Sequence, residues 1–207
     1  MSLVVEGLLI AGGIVVGRWI ARAIRTRGAR SEPARPAAAA EANDAPAELP
    51  ATFACKLGDV VVRVAERDEA WLAGALVFSE EHPTAALFVA PEAGADRALF
   101  VRDAPGAGLV WLAPLAADEL PLTKDPPHAL EHGGTRFERS RRLPVRVARQ
   151  GSGAPNVGDR AIVAEYAGPA AERLVVVAGS DATLAWRGVL LGEGEYDVLP
   201  GSKETRE

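Results

Sequence analysis

His128-Ala129-Leu130-Glu131-His132 sets two histidines four apart with a glutamate between them. On a helix that spacing would turn both rings toward one zinc ion, with Glu131 placed to act on a bound water. The setting decides whether it can. Pro126-Pro127 and Gly133-Gly134 leave room for a helix of only five residues, a marginal length. Gly-Gly is also a favoured two-residue hairpin loop. With that loop, Glu131 faces Arg136 and Leu130 faces Phe137 across two strands, an ion pair on one face and an apolar pair on the other. Positions 128 and 132 would then stand about 13 Å apart, too far to share an ion. The hairpin is the expectation, with no metal and no cofactor.

Other reactive side chains lack partners at useful spacing. Cys55, the only cysteine, has no histidine near it in sequence and reads as a small core residue. Gly106-Ala107-Gly108 and Gly192-Glu193-Gly194 lack the lysine of a phosphate loop, and Gly151-Ser152-Gly153 lacks the strand and helix of a nucleophile elbow. No catalytic residue is assigned. The sharper feature is a run of cations, Arg136, Arg139, Arg141, Arg142, Arg146 and Arg149, opposed only by Glu138. Its plain explanation is a solvated strand edge, where charge deters edge-to-edge pairing. Its functional explanation is a binding patch for anionic lipid headgroups or an acidic partner.

These residues need a scaffold. The segments GDVVVRVA, AGALVF, AALFVA, RALFVRD, GLVWLAPL, RLPVRVARQ, DRAIVAEY, ERLVVVAG, ATLAWRGVLL and EYDVLPG all have strand length and are rich in Val, Leu and aromatics. Ten such runs between turns predict a mainly β domain, an antiparallel barrel or sandwich over residues 51–200. ERDEAWLAGALVFSEE fits either a helix or a turn followed by a strand. An echo between Lys56-Leu57-Gly58-Asp59 and Asn156-Val157-Gly158-Asp159 suggests two related β-halves.

The ends of the chain differ in kind. Residues 2–17 are apolar on every side except for Ser2 and Glu6. Extended from Leu3 to Ile24 they make a helix of about 33 Å, enough to span a bilayer. Leu3, Ile10, Ile14, Val16 and Trp19 would be its anchor residues, with Trp19 near one interface. The positive charge follows the apolar run, in RWIARAIRTRGAR, and this order argues against a cleaved signal peptide. It predicts a single-pass anchor, residues 1–27, with the body in the cytoplasm. Gly13, Gly17 and Ala21 form a small-residue stripe through which two anchors could dimerise. Residues 28–50 are rich in Ala and Pro and poor in large apolar side chains, hence a disordered linker. Residues 201–207 form a polar tail. The chain carries −5 overall, but residues 1–30 carry +4 and the remainder −9. An acidic body argues against general nucleic-acid binding.

LGDVVVRVA, GLVWL, PPHALEHGGTRFER and VGDRAIVAEYAGPAAERLVVVAGSDATLAWRGVLL, in that order, resemble an uncharacterised bacterial family, the domain of unknown function 4178, over roughly residues 53–198. The hairpin His132-Gly133-Gly134-Thr135-Arg136-Phe137 and the late Tyr166 carry the likeness. The resemblance implies a β-rich fold and an accessory role in envelope or polyamine-related gene clusters, and brings no catalytic residue. With the resemblance to a bacterial family, the expectation is a non-enzymatic binding or scaffolding module with a protein partner, tethered at the cytoplasmic face of a bacterial inner membrane. Two alternatives stand beside it: an enzyme whose site is assembled across strands, and a module using the arginines to bind lipid or another polyanion.

Overall fold

The computed structural model describes residues 49–91 and 96–201. Among them there is no helix, and so none long and apolar enough to cross a membrane. The anchor residues Leu3, Ile10, Ile14, Val16 and Trp19 and the stripe Gly13, Gly17 and Ala21 lie outside the described residues, as do most of the linker and most of the tail.

Twelve strands follow one another: β1 (Val60–Arg63), β2 (Glu69–Trp71), β3 (Gly74–Ser79), β4 (Pro83–Ala90), β5 (Arg97–Arg102), β6 (Leu109–Pro114), β7 (Ala129–His132), β8 (Thr135–Gly151), β9 (Arg160–Ala167), β10 (Glu172–Gly179), β11 (Thr183–Leu191) and β12 (Tyr196–Leu199). All ten apolar runs contain one of them or part of one. The ambiguous stretch 66–81 is not a helix: β2 and β3 lie within it. Eight strands close an antiparallel barrel in the order β3-β4-β5-β6-β11-β10-β9-β8, and β8 pairs back onto β3. The two Gly-Asp turns share a left-handed glycine, φ +89° at Gly58 and +90° at Gly158. They open strands in different sheets, since β1 belongs to a three-stranded sheet ordered β12-β1-β2 and β9 to the barrel.

Period-2 alternation sorts the apolar residues into three cores. Leu76, Phe78, Leu87, Phe100, Leu112, Val163, Val175 and Trp186 point inward and fill the barrel. The opposite faces of β4, β5 and β6, with Phe88, Leu99 and Trp111, pack under the small sheet through Val61 and Ala70. The outer faces of β9, β10 and β11, with Tyr166, Leu174 and Ala185, are covered by Leu120, Leu130 and Phe137. The small sheet's other face carries Trp71, Val60 and Leu199 in register across three strands, with Trp71 61% and Leu199 53% exposed.

β8 does two jobs. Its first residues pair with β7 as a hairpin, with Leu130 opposite Phe137 and Glu131 opposite Arg136. Gly133 and Gly134 turn the chain at φ +57° and +73°, a pair of positive angles that β-carbons oppose. Its last residues close the barrel, from Ser79 opposite Arg146 to Gly74 opposite Gly151. Between these stretches only β9 lies alongside, and Pro144 falls there, where a missing N–H leaves no ladder broken on the open side. The register to β9 shifts between Arg139 and Arg141. That bulge at Ser140 reverses the parity of the strand. Before it, Phe137 and Arg139 face outward; after it, Arg141, Leu143 and Val145 face into the barrel.

Candidate functional site

His128 and His132 flank a strand rather than a helical face, and each has its own partners. The Arg139 guanidinium donates to His128 Nδ1 at 3.1 Å and to the carbonyl of Pro126. Arg187 donates to His132 Nδ1 at 3.0 Å and pairs with Glu172 at 2.8 Å, while His132 Nε2 faces Glu119 at 3.6 Å. The Arg187 guanidinium also lies 5.3 Å from the centre of the Phe137 ring. This cluster clasps the hairpin turn to β11, and its donors are already engaged. No group of three or more metal-ligating side chains converges among the described residues. Cys55 is buried, and burial with Asp59 nearby pushes its thiol from 9.0 up to about 12, so it stays protonated at neutral pH.

The six arginines do not form one patch, because the bulge deals them to different faces. Arg136 pairs with its own neighbour Glu138 at 3.5 Å. Arg139 is held by the loop before β7. Arg142 reaches the Asp125 carboxylate at 2.9 Å. Arg149 is exposed and stands opposite Leu76 in the pair that closes the barrel. Arg141 turns inward beside Glu165, 4.0 Å from its carboxylate. Arg146 remains, and it stands directly opposite Arg160 of β9.

Like charges in direct opposition oppose strand pairing, with β-carbons only about 5 Å apart. No ion pair relieves Arg146 or Arg160 among the described residues. Both line an open groove of about 580 Å³, with Lys124 beside them and Glu80 the only acid in its wall. Its floor is apolar, from Pro144, Ile162 and Ala178. Three cations over an apolar floor suit an anionic group attached to a carbon chain. Sequence reasoning reached Arg146 but missed Arg160 and Lys124, which only strand register and the loop between β6 and β7 bring there. A second cavity, about 220 Å³, is lined mainly by apolar residues including Pro91, Pro114, Pro155 and Trp186. Its one arginine, Arg97, is paired with Asp68 at 3.1 Å.

At one rim of the barrel the inward-facing positions are charged. Glu165 sits with Arg102 Nε at 3.7 Å and Arg141 at 4.0 Å. Burial lifts its carboxyl above the ordinary range, and Arg102, Arg141 and Arg173 oppose that rise. No family model, curated protein or solved structure matches this chain.

Proposed function

We propose that the chain is a non-enzymatic binding module, held by its N-terminal segment at the cytoplasmic face of a bacterial inner membrane, whose barrel docks on anionic lipid headgroups through the groove of Arg146, Arg160 and Lys124. The observation that carries this reading is the direct opposition of Arg146 and Arg160. A local arrangement that opposes folding is most simply retained for what it binds. The apolar floor would take the first carbons below a headgroup. The packed interior of the barrel leaves the outer face as the surface for a ligand of this size. A linker of about 20 residues spans roughly 25 Å on average, so the groove would reach the leaflet repeatedly. Each basic side chain near such a surface contributes about 1 kcal/mol, enough to hold the groove to the leaflet although residues 31–207 carry −9 overall.

Vesicle co-sedimentation of residues 44–207, which contain all three cores, tests the reading. Binding should rise with the fraction of anionic lipid and fall as salt shortens the Debye length to about 8 Å. Arg146→Gln with Arg160→Gln should abolish it and leave the thermal melt intact or raised. If the unaltered domain ignores anionic vesicles at low salt, the lipid reading is wrong, and a protein partner on the same groove becomes the one to pursue.

A further inference from the structure

We infer that the barrel rim formed by Arg102, Arg141 and Arg173 around Glu165 binds a small oxyanion of the phosphate or phosphomonoester class. The four side chains come from β5, β8, β10 and β9, and each stands two residues from an inward core residue: Phe100, Leu143, Val175 and Val163. These positions therefore stand at the rim above the apolar interior, where Arg102 and Arg141 both approach Glu165. Arg141 belongs to it only because the bulge at Ser140 turns this arginine inward. Bulges often serve to re-aim a side chain at a site.

The charges do not balance. Two guanidiniums flank one carboxylate, and Arg173 adds a third positive charge from the same rim, which leaves a double positive charge. Arg102 and Arg141 approach Glu165 at 3.7 and 4.0 Å, beyond direct hydrogen-bond range. Among the described residues neither guanidinium has another ion-pair or hydrogen-bond partner. Arg173 donates from Nη1 to the carbonyls of Glu172 at 2.7 Å and Ala170 at 3.4 Å, and its other amino group makes no ion pair among the described residues. Arginine forks match the paired oxygens of a phosphate group. Their side chains are about one-third exposed, 35% for Arg102 and 36% for Arg141, against 15% for Glu165. An anion can thus enter from solvent and sit over a low-dielectric floor, where each contact gains strength. Glu165 trims the site's charge to that of a dianion.

Isothermal titration of the full chain in detergent with inorganic phosphate is the test. Saturable binding is expected. Arg102→Gln should weaken it at least about tenfold. Arg141→Lys keeps the charge and loses the fork, so it should weaken binding with little change in melting temperature. Glu165→Gln should tighten binding, because it removes the internal competitor. If the ring were only a structural ion-pair network, Glu165→Gln would lower the melting temperature and create no tighter site. Arg146→Gln with Arg160→Gln should leave phosphate binding unchanged, which separates this site from the groove and its failure from the groove's. Glycerol phosphate and a soluble short-chain phosphatidate carry the same group. Equal binding of the two marks a free metabolite, and preference for the phosphatidate marks a lipid headgroup. No saturable binding by the unaltered chain, or loss of binding only on changing Arg146 and Arg160, overturns the assignment.

Discussion

Tyr166 is buried among apolar side chains with one outlet, the carbonyl of Pro127, to which its hydroxyl donates at 2.8 Å. Tyr166→Phe leaves that acceptor unfilled and should cost about 0.5–1.5 kcal/mol by chemical denaturation. Burial also pushes the phenol from 10.0 to about 12, with Arg139 opposing and Asp125 assisting. The folded state therefore holds this proton more tightly than the unfolded chain does. Its contribution is intact below pH 10 and lost as pH rises toward 12; for Cys55 the window opens at 9.0. Thermal melts should fall steeply across that alkaline range and less steeply in Tyr166→Phe or Cys55→Ala. At the hairpin, Phe137→Ala should cost about 3–5 kcal/mol, since Phe137 is fully buried, while His128→Ala, at an exposed position, should cost far less. The pairing of Leu130 with Phe137 was legible in the sequence because the Gly-Gly loop fixes register by itself. The partners of Tyr166 were not, for they come from a loop that no periodicity describes.

Among the elements, β8 holds the main lesson. Its two halves were visible separately, as a hairpin strand and as RLPVRVARQ, but not as one strand with a bulge between. Parity along a strand is readable only until an extra residue intervenes, and whether one does depends on the partner strand. The arginines at 136–149 accordingly read as one surface, whereas the bulge sends Arg141 inside and leaves Arg139 and Arg142 tied to the preceding loop. Deleting Ser140 should restore continuous alternation and force either the hairpin half or the barrel half to present its wrong face. Such a chain should show a broad, low-temperature melt. Ser140→Ala keeps the extra residue and loses only the hydroxyl's bond to the Glu165 carbonyl at 3.1 Å, so its melt should stay close to the original. The other strands were legible because Val, Leu and Phe alternate within short bounded runs. β2, at three residues, is too short for a period to register.

At the scale of the whole molecule, charge and hydropathy divide the chain as cleanly as the fold does. If residues 3–24 span a bilayer, full-length protein should stay in the pellet after carbonate extraction. Removing residues 1–48 should give a soluble domain with unchanged far-ultraviolet dichroism, because the three cores draw on residues from Leu49 onward. Recovery of the full chain in the carbonate supernatant would contradict the anchor. The barrel itself could be anticipated only as one of two β architectures. Closure depends on β3 meeting β8 and β6 meeting β11, pairings between segments far apart that no local pattern encodes.

Those distant pairings impose an order on synthesis. Strand β6 leaves the ribosome well before β11, and Leu112 waits for its register partner Gly188. At about 5–20 residues per second the delay lasts several seconds. Through that interval the barrel cannot close, so Leu76, Leu87, Phe100 and Leu112 lack the later strands that cover them, and long-range pairing of this kind is slow even in a finished chain. Nascent chains arrested before residue 183 should therefore be cut readily by protease and held by chaperones. Arrest beyond residue 200, with enough added linker to clear the exit tunnel, should yield the resistant domain.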